Sequence, residues 1–193
     1  MLGAFELRMM LPSPLRIEPI PGYSPAIGRL VCMLTYARAT TFAAVEGMTM
    51  NELDHLHDSH SNSIGALLAH IAAEERSYQV MTFEDRALSS EENTLWSPAL
   101  KLEADARRVL RGYPLDHYLD DLKSLRQVTL EGLAARDDEW LERSVTSAPK
   151  INVHWAWFHA AEDEINHRGQ IRWLRKRLPA ERSGREAPNE GFP

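Results

Sequence analysis

A chain of 193 residues, 44% of them hydrophobic, can bury one sizeable core and gives no reason to divide it in two. Its 22 basic residues against 28 acidic ones leave a formal charge of -6, which argues against a nucleic-acid partner. The single cysteine, Cys32, excludes an intramolecular disulfide and a cysteine-only zinc site.

Cys32 sits in an apolar stretch with no basic neighbour to lower its pKa, so it reads as a packing residue. Glu6 and Arg8 interrupt the apolar start that a signal peptide would need. No stretch approaches the roughly 20 apolar residues of a membrane span. A cytoplasmic protein without a membrane partner is expected.

In chain order, Pro12, Pro14, Pro19 and Pro21 predict an extended arm over residues 1–23. Ser24 and Pro25 then open a first helix that runs to about Gly47, with Ile27, Leu30, Val31, Leu34, Thr41 and Val45 on its inner side. Thr49 and Glu52 have capping-box spacing, but the residues down to Ser61 are polar and lack an apolar period. His55, His57 and His60 fall there and read as part of a solvated connection. Ser61 or Asn62 caps a second helix reaching about Phe83, whose stripe is Ile64, Leu67, Leu68, Ile71 and Tyr78, with His70 and Glu74 along its margin.

Between Glu84 and Pro114 the pattern weakens, although Leu102, Ala106, Val109 and Leu110 predict a short amphipathic helix and Ser89 and Glu92 again have cap spacing. A connection this long can cross over between parallel neighbours. A third helix is expected from Leu115 to Arg136, packing through Leu115, Tyr118, Leu119, Leu122, Leu125, Val128, Leu130 and Leu133. The polar stretch from Asp137 to Lys150 reads as a loop into a last helix, Asn152 to Leu178. Residues 179–193 have almost nothing to bury and read as a flexible tail. The fold class expected is all-α: four long helices in one domain, residues 24–178.

The last helix carries the chemistry. At about 100° per residue, Ala156, Ala160, Asp163, His167, Ile171, Leu174 and Leu178 form one stripe facing the core. A carboxylate and an imidazole on such a stripe are costly to bury alone, and a metal ion would compensate. Asp163 and His167 stand one turn apart and can converge on one ion, with His70 of the second helix as a third ligand. Two imidazoles and a carboxylate suit zinc, nickel or ferrous iron and leave positions open. The plainer alternative is an Asp163–His167 ion pair.

Other metal patterns fit less well. His159 is not followed by the glutamate of the zinc-protease motif. Glu164 and His167 match the Glu-x-x-His of di-iron bundles, but the only second copy, Glu52 with His55, lies in the polar connection. His154 and His159 match the phase of Asp163 and His167 less well and are left outside the ligand set. Gly169 costs the helix about 1 kcal/mol relative to alanine, so close backbone packing is its expected reason. Gln170 lies near the ligand phase and can orient a ligand or make an ordinary interhelical hydrogen bond.

The segments Asn62 to His70 with Glu74, and Ala161 to Ile171, resemble the DinB-like and YfiT-like metal proteins, most specifically in His167-Arg168-Gly169-Gln170-Ile171. The resemblance spans roughly residues 24–178 and implies a four-helix bundle with a long crossover between helices two and three. It implies three metal ligands, which carried over are His70, Asp163 and His167; the family commonly has a histidine where this chain has Asp163. It also implies a homodimer, for which the stripe Phe158, Ala161, Ile165 and Gly169 is a candidate seam. Similar proteins include bacillithiol transferases and mycothiol-dependent maleylpyruvate isomerases. The reading is therefore a metal-dependent enzyme that activates water or a low-molecular-weight thiol against a small electrophile, with Glu74 as proton carrier. The alternative is a non-catalytic dimeric metal-binding or stress-related helical protein.

Overall fold

The computed structural model describes residues 16–179. The expected tail therefore lies outside them except for Pro179, and the expected arm is seen only from Arg16 onward, where Ile20 is buried. There the arm lies on the first helix: a Cβ on Gly28 would come 2.7 Å from the Ile20 amide nitrogen.

The described chain is mostly helical. Helix α1 is Pro25–Val45, α2 Met50–Asp54, α3 Ile64–Phe83, α4 Ser90–Lys101 and α5 Ala104–Val109. Helix α6 is Leu115–Ala134, α7 Asp138–Leu141 and α8 Val153–Arg175. The stretch expected as a plain loop before α8 holds a small antiparallel pair, β1 Ser144–Val145 with β2 Ala148–Asn152. Both capping boxes form, Thr49 with Glu52 and Ser89 with Glu92. The cap of α3 is Ser63, whose hydroxyl accepts the Ala66 amide at 3.1 Å, one or two residues after the expected position.

The start of α1 differs more. Pro25 occupies the first turn, but Ser24 makes no side-chain cap. Its hydroxyl donates instead to Asp138 Oδ1 at 2.5 Å, and the Asp138 carboxylate accepts the Ala26 and Ile27 amides at 3.0 and 3.1 Å. An anion from α7 thus satisfies the free amides of α1, with the sign that a helix N-terminus favours.

Pairings along the four long helices give their directions. Gly65 meets Tyr118, Gln79 meets Thr129 and Phe83 meets Gly132, so α3 and α6 run parallel. The 31 intervening residues, 84–114, which include α4 and α5, make the crossover this requires. Arg38 meets Glu164 and Arg175 meets the Ala44 carbonyl, so α1 and α8 are also parallel. His70 with His167 and Tyr78 with His159 make α3 and α8 antiparallel.

The apolar core is two clusters. One gathers Ile27, Leu30, Leu34, Leu133, Trp140 and Trp157; the other gathers Phe42, Leu67, Leu68, Leu122 and Ile171. Between them in sequence on every long helix stands a buried charge: Arg38 on α1, Glu75 on α3, Arg126 on α6 and Glu164 on α8. Arg38 donates to Glu164 at 2.9 Å, to Glu75 at 2.7 Å and to the Leu122 carbonyl at 2.5 Å. Arg126 donates to Glu75 at 2.7 Å, to Glu164 at 3.2 Å and to the Leu34 carbonyl at 2.6 Å. Thr129 adds a donor to Glu75 at 2.6 Å.

None of these charges was expected inside, although each falls on its helix's apolar phase. On α6, Arg126 and Thr129 take the inner positions, while Val128, expected to pack, is 47% exposed. Val109 on α5 is likewise exposed, and only Ala106 of that helix is buried. Burial alone would raise the Glu75 pKa, but Arg126 and Arg38 outweigh it and hold it at about 2.

Candidate metal centre

His70 lies on α3 with its ring buried against α4. Its Nδ1 is 2.8 Å from the Ala99 carbonyl. A carbonyl only accepts, so the proton of this hydrogen bond is on Nδ1, and neutral His70 presents a lone pair at Nε2. That atom is 3.5 Å from Asp163 Oδ2, while His167 Nε2 is 3.3 Å from Asp163 Oδ1. One ligand atom from each of the three residues lies within 4.8 Å of the others. The structure thus brings together the three residues read from the sequence.

The phase argument explains the meeting. Asp163 and His167 share one face of α8 a turn apart, and the antiparallel course of α3 sets His70 against both. The two imidazole rings contact edge to face at 4.5 Å. Burial pushes the Asp163 pKa up, but the hydrogen bonds that His167 and His70 donate in their Nε2–H forms more than reverse this and hold it well below the usual carboxylate range. Burial likewise works against a charged His70, and the Asp163 and Ala99 hydrogen bonds raise its pKa on balance.

The donor set fits a divalent metal. Two nitrogens and a carboxylate oxygen converge, one imidazole has its other nitrogen tied to a backbone carbonyl as metal-ligating histidines commonly do, and His167 Nδ1 is buried with no hydrogen-bond partner among the described residues.

Glu74 follows His70 by one turn and is partly buried. Burial raises its pKa, and the Asp163 charge adds to the effect. Farther along the same face, the Tyr78 hydroxyl is 2.9 Å from His159 Nδ1. His159 thus stays outside the ligand group yet belongs to the same seam. The signal that could have placed it there was its four-residue step to Asp163, which repeats the step from Asp163 to His167.

Two other expectations change. A Cβ on Gly169 would meet nothing within 4 Å, so no packing among the described residues demands that glycine. Gln170 is exposed and lines, with Asn62, Asn166, Gly169 and Trp173, an open cavity of about 590 Å³ beside the ligand face of α8. His57 and His60 are exposed, as a solvated connection requires, and Cys32 is buried. Among the described residues no helix is long and apolar enough to cross a membrane.

A family model described as mycothiol-S-transferase matches residues 29–180. No curated protein matches the chain.

Proposed function

The chain belongs to the mycothiol S-transferase family, a DinB/YfiT-like family, and on that premise we propose that it is a metal-dependent enzyme transferring a low-molecular-weight thiol to a small electrophile. The observation that carries this reading is the convergence of His70, Asp163 and His167 around one point, with one imidazole nitrogen still unpaired. A divalent ion held there, zinc or nickel by donor type, would lower the pKa of a thiol or water that it binds.

The chain's own residues would do the rest. Asp163 supplies the negative charge that offsets a cation in a partly buried site, and the Ala99 carbonyl fixes the His70 ring so that Nε2 faces inward. Glu74, beside the site and only partly exposed, is placed to accept the thiol proton. Hydrolysis, with water in the place of the thiol, would use the same residues.

In the same reading, residues 24–178 form a single four-helix-bundle domain. The long crossover between α3 and α6 supports that architecture. A homodimer belongs to it as well: Phe158 and Ile165 stand exposed on α8, although Ala161 of the expected seam is buried within the chain. A cytoplasmic setting, where thiols are kept reduced, completes it.

Metal analysis of the purified protein beside His70→Ala and His167→Ala tests the site, with a divalent ion retained by the wild type and lost from both variants as the expected result. Mixing mycothiol and monochlorobimane with metal-replete protein tests the reaction. Turnover above the uncatalysed rate is expected, and its absence both here and with an oxyanion-forming electrophile such as cyclohexenone overturns thiol transfer.

A further inference from the structure

Two residues of the seam have no part in the thiol chemistry above. His70, Glu74 and Tyr78 recur at four-residue steps on α3, and His167, Asp163 and His159 recur at four-residue steps on α8. Residues at this spacing share a helix face. Because the helices are antiparallel, the rows oppose each other, with His70 against His167 and Asp163 at one end and Tyr78 against His159 at the other. Side chains lean toward the N-terminus of their helix. That rule sends Tyr78 off α3 on the His70 side of its own Cα.

The Tyr78 hydroxyl is buried, and its one hydrogen bond among the described residues is to His159 Nδ1 at 2.9 Å. His159 reaches the surface. Its ring stacks on Trp155 at 4.8 Å, its Nε2 is 3.9 Å from Glu162 Oε2, and its side chain is 30% exposed. The pair thus joins a buried phenol on the ligand seam to solvent through one imidazole. Burial, with the Glu74 and Asp163 charges added, raises the Tyr78 pKa, so the phenol keeps its proton as a donor.

Thiol transfer needs such a donor only with some electrophiles. Displacing a halide releases an anion that needs no proton. Opening an epoxide or adding to an α,β-unsaturated carbonyl puts the electron pair on oxygen, which must be protonated. From this geometry we infer that the substrates are electrophiles of the second kind, with Tyr78 donating to the developing oxyanion and His159 as the positioning residue that resupplies the proton. The inference rests on the thiol-transfer reading.

The step balances. The sulfur electron pair forms the C–S bond while the C–O bond of the epoxide yields its pair to oxygen, or, in the enone, the C=C π pair moves to the new enol double bond and the C=O π pair moves to oxygen, the enol then returning to the ketone in solution. Oxygen takes the Tyr78 proton. Tyr78 takes the His159 Nδ1 proton while water protonates the exposed Nε2, and the thiol proton leaves beforehand through Glu74 to solvent.

The test compares two electrophiles with mycothiol and metal-replete protein: cyclohexenone, which generates an oxyanion, and monochlorobimane, which loses chloride. Tyr78→Phe and His159→Ala should each lower kcat for cyclohexenone far more than for monochlorobimane, by a ratio on the order of the 100-fold or more typical of a lost general acid. Metal content should match the wild type in both variants, and added imidazole should restore turnover to His159→Ala but not to Tyr78→Phe. Equal losses on the two electrophiles, or none on cyclohexenone, overturn the inference while wild-type turnover of monochlorobimane leaves the thiol reading standing. If the wild type turns over neither electrophile, both fall.

Discussion

Asp163 and Glu164 are neighbours on α8, yet they belong to opposite kinds of polar interior. Glu164 joins Arg38, Arg126 and Glu75 in a cluster where two cations face two anions and no side-chain atom lacks a partner among the described residues. Asp163 joins two imidazoles and leaves His167 Nδ1 buried and unpaired. Burial of charge therefore does not by itself mark a functional site. What separates the two is closure and donor type: the cluster has met its needs from the four long helices, whereas the triad gathers two imidazoles and a carboxylate, the donor types that hold a divalent ion.

That contrast is sharpest under mutation. Removing one member of the closed cluster leaves an uncompensated buried charge, so Arg38→Ala or Glu75→Ala should cost about 3–5 kcal/mol, read as a lowered urea midpoint or as failure to fold. A loss below about 1 kcal/mol, the size of an exposed ion pair, would break the comparison.

Acid should open the same cluster first. The folded-state pKa of Glu75 is held at about 2, below the ordinary 4.5, so its contribution is complete above pH 4.5 and is lost as pH falls toward 2. A tenfold change in proton affinity corresponds to about 1.36 kcal/mol, so the loss across that window is on the order of 3 kcal/mol. Urea midpoints measured over the same range should fall with pH; a flat profile would show that the cluster is not anchored by Glu75.

The open site should respond differently. In metal-free protein His167→Ala should cost only about 1 kcal/mol, while metal binding measured by calorimetry disappears. A large stability loss with binding retained would make the triad another structural network. The smallest effect is expected at Gly169, where a methyl group enters open space. Gly169→Ala should stabilise α8 by up to about 1 kcal/mol without changing metal content. If it instead destabilises the protein or shifts its sedimentation, a second copy packs on that glycine.

Much of this was legible in the residues. The apolar stripes located all four long helices, and α3 and α6 end within two residues of the expected positions. Asp163, His167 and His70 stood out because ionisable groups on an apolar phase demand compensation. The same rule, applied to Arg38 after Leu34, Glu75 after Ile71 and Arg126 after Leu122, exposes the closed cluster; arginine and glutamate escape it only because their residue type suggests a surface position. The β1–β2 pair left no signal because Ser144–Val145 is too short to show an alternating pattern.

Helical phase is local: about 3.6 residues per turn decides from sequence alone which side chains share a face, and so the sequence determined that His70 and Glu74, or Asp163 and His167, lie together. Which face meets which is not local. The register of α1 against α8 and of α3 against α6 decided that Glu164 would be closed off by two arginines, that Asp138 rather than Ser24 would cap α1, and that His159 would reach Tyr78. Such pairings join residues far apart in the chain, and only the packed helices bring their atoms within hydrogen-bonding distance.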